Sequence, residues 1–267
     1  MIHNAARDVW PKRARLAELR RDIRQAETFA RPGLPLGLAA IDAHLPRGLV
    51  RGALHEVGPR DYRATPAAFG FLAALAIRLV SAGEGPVLWP CLVHEERHFG
   101  TLYGPGLRRI GLDPGRLILV RCTSARDFLW ALEEGVRQGG LGAVIGARPA
   151  KMSLTQSRRL QLAATESETP VLLLRRAEDD GPSAAVTRWR IAPLPGGRDR
   201  FDFLASFRWQ ATLEHARGGR PGTWAVEWDH DAHRFHSSSV LADREDAQVA
   251  QHAHADASKH PSERAFA

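Results

Sequence analysis

From residue 53 to residue 175 the chain alternates short, β-rich apolar runs with segments of helical period, and this alternation constrains the fold more than any other feature. The runs are "ALHEV" at 53–57, "PVLWP" at 86–90, "RLILVRC" at 116–122, "LGAVIGA" at 141–147 and "PVLLLR" at 170–175. Helical segments at 66–81, 125–138 and 153–167 separate them. In the second, Phe128, Leu132 and Val136 fall at i, i+4 and i+8, which places one face in a core. Short strands that are apolar throughout are covered on both faces, so the pattern predicts a three-layer α/β domain around a mainly parallel sheet.

The flanks differ. Residues 11–28 read as a helix, with Pro11 at its first turn, Leu16, Leu19 and Ile23 on one face and arginines opposite. That helix is either an oligomerisation or partner-docking element, or a cover packed on its own domain by the same three residues. "RPGLPLG" then forms a linker. Past residue 180, "VTRWRIAPL" reads as a strand and "FRWQATLEHARGGRPGTWAVEWD" as a β-hairpin. Phe207, Trp209, Ala211 and Leu213 alternate on one arm, Trp224, Val226 and Trp228 on the other. From about 236 the composition is polar and poor in aromatics, that of a disordered tail. The expected organisation is a basic helix at 1–30, an α/β core at 31–180, a β extension at 181–235 and a tail at 236–267.

Of 267 residues, 44% are apolar and 25% charged. No run of eighteen apolar residues occurs and the N-terminus lacks an apolar leader, so no membrane span and no secretory signal are expected. Cys91 and Cys122 lack metal-ligand spacing and read as reduced core residues of a cytoplasmic protein. The formal charge is +7, carried almost wholly by arginine, since Lys12, Lys151 and Lys259 are the only lysines. With a sequence pI near 10.3, that balance suits anionic partners, nucleic acid or an acidic protein surface, and equally suits a GC-rich genome that favours arginine codons; charge alone does not decide between them.

The strand at 53–57, a Gly-Pro turn and a long apolar helix make the frame on which a phosphate-binding loop hangs. A working G-x-x-x-x-G-K-[ST] loop uses its glycines to curl backbone N–H groups around phosphate, its lysine to neutralise charge and its hydroxyl to hold Mg²⁺. Here Gly58 fills the first position and Thr65 the last, but Arg63 replaces the second glycine and Ala64 the lysine. A non-glycine forced to positive φ costs roughly 1–2 kcal/mol. A lost charge-assisted hydrogen bond forfeits about 1.5–3 kcal/mol more. Together these weaken binding about a hundredfold or more. "LGAVIGA" ends without a metal-binding Asp, and Glu95 and Glu96 read as a solvated loop. No cofactor, metal or catalytic residue is therefore expected.

Two further constellations stand out. Arg188, Arg190, Arg208, Arg217 and Arg220 interleave with Trp189, Trp209 and Trp224, as suits contact with single-stranded DNA or an acidic partner; the strand period of the tryptophans favours the plainer reading, in which they are buried and the arginines form a solvated outer face. His230, His233 and His236 stand at metal-like spacing in "DHDAHRFH", which reads better as part of a polar tail.

The order "LPLGLAAIDAHLPRGLVRGALHEVGP", a helix, then "PVLW", resembles the entry into a RecA-type core. With "GPGLRRIGLDPGRLILVR", "FLWALEEGVRQGGLGAVIG", "RRLQLAATESETPVLLLR", "TRWRIAP" and "ARGGRPGTWAVEW", the chain over about 33–229 resembles the ImuA family, RecA-like accessory proteins of SOS mutagenesis related to the cell-division inhibitor SulA. The resemblance implies a RecA-like, non-catalytic protein acting in translesion synthesis beside an ImuB-like polymerase relative and a DnaE-type error-prone polymerase. Contact with a RecA filament, contact with single-stranded DNA, and self-association belong to the same expectation. Arg175 stands where an active relative would carry a sensing glutamine. Two alternatives remain: a DNA-dependent NTPase in which Arg60 or Arg63 replaces the lysine, and a SulA-like inhibitor of cell division.

Overall fold

The computed structural model describes residue 15 and residues 33–81, 85–147, 151–198 and 204–238. The expected N-terminal helix with Leu16, Leu19 and Ile23, and the tail beyond 238, lie outside the described residues.

After the short helix α1 (Ala39–Asp42), the chain runs β1 (Leu54–Pro59), α2 (Thr65–Ser81), β2 (Val87–Leu92), α3 (Val93–Phe99), α4 (Gly104–Ile110) and β3 (Leu117–Cys122). It continues through α5 (Ala125–Gln138), β4 (Ala143–Gly146), α6 (Leu154–Ser167), β5 (Val171–Leu174) and β6 (Thr187–Arg198), and ends in β7 (Leu204–Ala216), β8 (Gly222–Asp229) and β9 (Arg234–Ser237). The nine strands of the described residues form one sheet in the order β3-β2-β4-β5-β1-β6-β7-β8-β9. Pairings from β3 to β6 are parallel, and those from β6 to β9 antiparallel. The chain thus has an α/β fold with a mainly parallel core.

Strand period divides the core into two layers. Trp89, Ile145, Leu172, Leu174 and Val57 face α2, whereas Leu88, Val144, Val171 and Leu173 face α5 and α6. Helix α2 is apolar nearly all round because it is buried nearly all round. The stretch Tyr62–Ser81 has the length and hydropathy of a membrane span, but 67% of its most apolar window is buried inside the protein. Helix α5 starts where the Ser124 hydroxyl accepts the Asp127 N–H at 3.1 Å. Helix α6 opens with a reciprocal capping box between Ser153 and Gln156.

The antiparallel part is continuous with this core. Trp189, Trp209, Trp228 and Phe235 are buried on the α2 side, and the Phe71 ring of α2 lies 5.6 Å from Trp189, 5.7 Å from Trp209 and 5.4 Å from Phe235. Gly70 permits this approach, since a Cβ there would meet the Trp209 ring at 3.3 Å. On the opposite face of β6 and β7 stand Arg188, Arg190 and Arg208.

The sequence pattern misses three elements. Helices α3 and α4, seven residues each, are too short to show a period, and the four-residue β9 is too polar to read as a strand. The link from β5 to the parallel β6 contains no helix; residues 175–186 cross as irregular chain with a turn at 177–178.

Candidate functional site

The segment at the phosphate-loop position leaves β1 at Pro59, makes a 3₁₀ turn at Tyr62–Ala64 and enters α2 at Thr65. None of Gly58 to Thr65 has positive φ, so the backbone does not curl into an anion nest. Its polar groups are engaged internally. The Ala64 N–H donates to Asp61 Oδ1 at 3.0 Å, the Arg60 N–H to the Ile191 carbonyl at 2.8 Å, and the Thr65 hydroxyl to the Tyr62 carbonyl at 2.6 Å. A carboxylate of the chain itself, Asp61, takes the place at the helix entrance where a phosphate would be welcomed. Arg60 leans on that same carboxylate at 3.5 Å, and Arg63 is exposed. The position of Ala64 is buried, so no side chain there reaches the loop mouth.

Beside the loop lies a cavity of about 360 Å³ between the first turn of α2, the carboxyl end of β2, and helices α3 and α4. Phe69, Trp89, Leu92 and Leu107 give it apolar walls, and Glu95 and Glu96 line its edge. Both carboxylates are matched: Glu95 to Arg176 at 3.0 Å and Glu96 to Arg121. Cys91 Sγ is 3.5 Å from Glu96, and burial, then the Glu96 charge, push this thiol up to about 11. Apolar walls and an acidic edge do not suit a triphosphate. Among the described residues no cluster of three or more His, Cys, Asp or Glu gathers as for a metal.

Comparison with known proteins gives 36% identity over 233 residues to Protein ImuA of Caulobacter vibrioides strain NA1000 / CB15N, covering 80% of this chain and 92% of that protein. Protein ImuA of Caulobacter vibrioides strain ATCC 19089 / CIP 103742 / CB 15 matches to the same extent. The chain belongs to the ImuA family. No protein-family model matches the sequence.

The remaining residues singled out in this ImuA-family chain sit as follows. Arg188 lies 3.4 Å from Glu56, Arg190 bonds Glu214 at 2.8 Å and Asp180 at 2.6 Å, and Arg208 bonds Glu227 at 2.7 Å. The Arg190 guanidinium holds the Asp180 carboxyl below its ordinary value. Trp189 and Trp209 point into the core, away from these arginines, so neither ring is available to stack on a base. Arg217 and Arg220 are exposed in the turn between β7 and β8. That turn is docked on the segment just past α1: the Arg220 N–H donates to the His44 carbonyl at 2.9 Å, and His44 Nδ1 lies 2.9 Å from the Pro221 carbonyl. His236 meets Asp229 at 3.0 Å and His230 packs edge-on against Phe207, so these two histidines do not converge on one point.

Sequence reasoning missed two features. One is the Asp61 cap, whose signal was an Asp three residues before the helix-entry amide. The other is a buried cluster: Arg175 donates to Glu56 at 2.9 Å, Ser183 to Glu56 at 2.6 Å, and Arg175 and Arg188 each to the Gly181 carbonyl at 3.2 Å. Its signal was a lone carboxylate inside an otherwise apolar strand. The cluster pins the crossover, so Arg175 is a structural residue where a sensing glutamine was considered.

Proposed function

We propose that this protein is a non-catalytic, RecA-like accessory protein of DNA-damage-induced mutagenesis. It scaffolds translesion synthesis together with an ImuB-like polymerase relative and a DnaE-type error-prone polymerase, in the cytoplasm. The observation that carries the reading is the loop at 58–65: its helix entrance is capped by Asp61, its lysine position is Ala64, and its hydroxyl is turned back on Tyr62. A phosphate there would meet a like charge, at about 1 kcal/mol per charge 4 Å away in an exposed setting. Membership of the ImuA family and the order of the parallel strands support the same reading. The basic N-terminal segment, the arginine-bearing β extension and the turn with Arg217 and Arg220 are its candidate contacts with partner proteins, with single-stranded DNA or with a RecA filament.

The test is equilibrium calorimetry of Mg²⁺–ATP and Mg²⁺–ADP, with and without single-stranded DNA. No saturable heat up to millimolar nucleotide is expected. Micromolar binding that Thr65→Val abolishes would overturn the non-catalytic reading and favour a DNA-dependent NTPase.

A further inference from the structure

Helices α5 and α6 lie side by side over the sheet, and between them runs a groove of about 650 Å³. Its floor is apolar, built from Leu129, Leu132, Met152 and Leu160. At its lip stands Trp130, 66% exposed, on a helix whose other aromatic, Phe128, is fully buried. An exposed tryptophan beside an apolar groove is the composition of a binding anchor, because it offers a large rigid surface at small entropic loss.

The charges around this groove are unbalanced. Glu133 is bound to Arg159 at 2.7 and 2.8 Å and also to Arg137. Arg126 and Lys151, both exposed and both lining the groove, have no carboxylate partner among the described residues. The groove therefore presents an apolar slot with a free cation on each helix side, one at the start of α5 and one just before α6.

We infer that the α5–α6 groove is a docking site for an acidic, amphipathic peptide segment of a partner protein, with an apolar side chain packed on Leu129, Leu160 and Trp130 and carboxylates on Arg126 and Lys151. Such a segment follows the helix-in-groove mode, with anchors at i, i+3 or i+4 and i+7. Nucleic acid fits less well. Two free cations are few for a phosphate backbone, whose affinity grows with each phosphate neutralised. The inference rests on these side chains alone and stands or falls independently of the nucleotide question.

The experiment is fluorescence anisotropy on the full chain with labelled glutamate-rich amphipathic peptides that vary the apolar anchor among leucine, phenylalanine and tryptophan. Their glutamine-for-glutamate counterparts and a labelled oligothymidylate serve as comparison probes. At least one acidic peptide is expected to bind in a salt-sensitive manner, its neutral counterpart at least tenfold more weakly. Trp130→Ala should weaken binding about thirtyfold, the loss typical of a central tryptophan anchor. Arg126→Glu with Lys151→Glu should abolish it. All three positions are exposed or at the rim, so unchanged thermal melting is the control for folding. Binding that ignores these substitutions, or no binding by any acidic peptide, would overturn the inference. So would oligothymidylate binding that these substitutions remove. The chain's own segment "VLADRED" at 240–246 has similar chemistry; peptide binding that appears only after residues 239–267 are deleted would assign the groove to that segment instead.

Discussion

The buried pair Arg175–Glu56 gives a prediction whose size follows from its surroundings. The side chains are 7% and 4% exposed, and Arg175 also meets Asp179 at 3.0 Å. Replacing Arg175 by Met keeps the apolar stem but leaves the Glu56 carboxylate in the sheet interior with Ser183 and the more distant Arg188. Breaking one side of a buried pair costs about 3–5 kcal/mol. Arg188 at 3.4 Å and 21% exposed compensates in part, which places the loss near the lower end, about 3 kcal/mol. For a chain of this size that is a fall in melting temperature of roughly 6–12 °C, measurable by calorimetry or circular dichroism. The double variant Glu56→Met, Arg175→Met removes the stranded charge and should recover at least half of the loss, giving a coupling energy above about 1 kcal/mol. If Arg175→Met costs less than about 1 kcal/mol, or if the two substitutions simply add, the crossover is not held by this cluster.

Two predictions concern titration. His55 is fully buried between the Val50 carbonyl, 2.9 Å from Nε2, and the Thr187 hydroxyl, 2.8 Å from Nδ1; a carbonyl only accepts, so Nε2 carries the proton. Burial lowers its pKa from 6.5 to about 4, the Val50 bond opposing. The unfolded chain thus takes up a proton first, and stability that is complete above pH 6.5 is lost progressively as pH falls towards 4, by about 3 kcal/mol in all at 1.36 kcal/mol per unit. Denaturant unfolding across that window should show the slope, and His55→Gln should flatten it; an equal slope in the variant would refute the assignment. Cys91, pushed up to about 11, should alkylate slowly with iodoacetamide at neutral pH, its rate rising about tenfold per unit towards that value. A fast, pH-independent reaction would show a thiolate that the cavity does not suppress.

The sheet was legible because its central strands are apolar on both faces and so short that nothing else accommodates them. "PVLLLR" and "LGAVIGA" read correctly for the same reason that their residues are buried on both sides. The hairpin was legible from period two alone, since Trp209, Val226 and Trp228 alternate with polar residues along their strands. What stayed hidden depends on contacts distant in sequence. Nothing near Arg190 announces Glu214, nor anything near Glu56 the Arg175 that lies 119 residues away. The arginine–tryptophan interleaving looked like one recognition surface in sequence; in the fold a two-residue period sends Arg188, Arg190 and Arg208 to the face opposite Trp189 and Trp209, while Arg217 and Arg220 sit in the turn after β7. The departures from the phosphate-loop pattern at Arg63 and Ala64 are plain in the sequence, but the Asp61 cap is not, because Asp61 differs from any loop aspartate only in where its carboxylate ends up.

That cap has a consequence for how the fold holds itself. In a phosphate-binding loop the helix-entry N–H groups are satisfied by the ligand, so ligand binding adds to stability by mass action and the empty loop is left with unsatisfied donors. Here the Ala64 amide is bonded to Asp61, the Arg60 amide to Ile191 on β6, and the Thr65 hydroxyl to Tyr62. These bonds are made without a ligand, and they tie the loop to β6, which pairs in parallel with β1 and antiparallel with β7. A loop whose helix-entry amide is met by the chain's own carboxylate has less to gain from a ligand than the loop of a nucleotide-driven motor, which works by making its shape depend on the ligand.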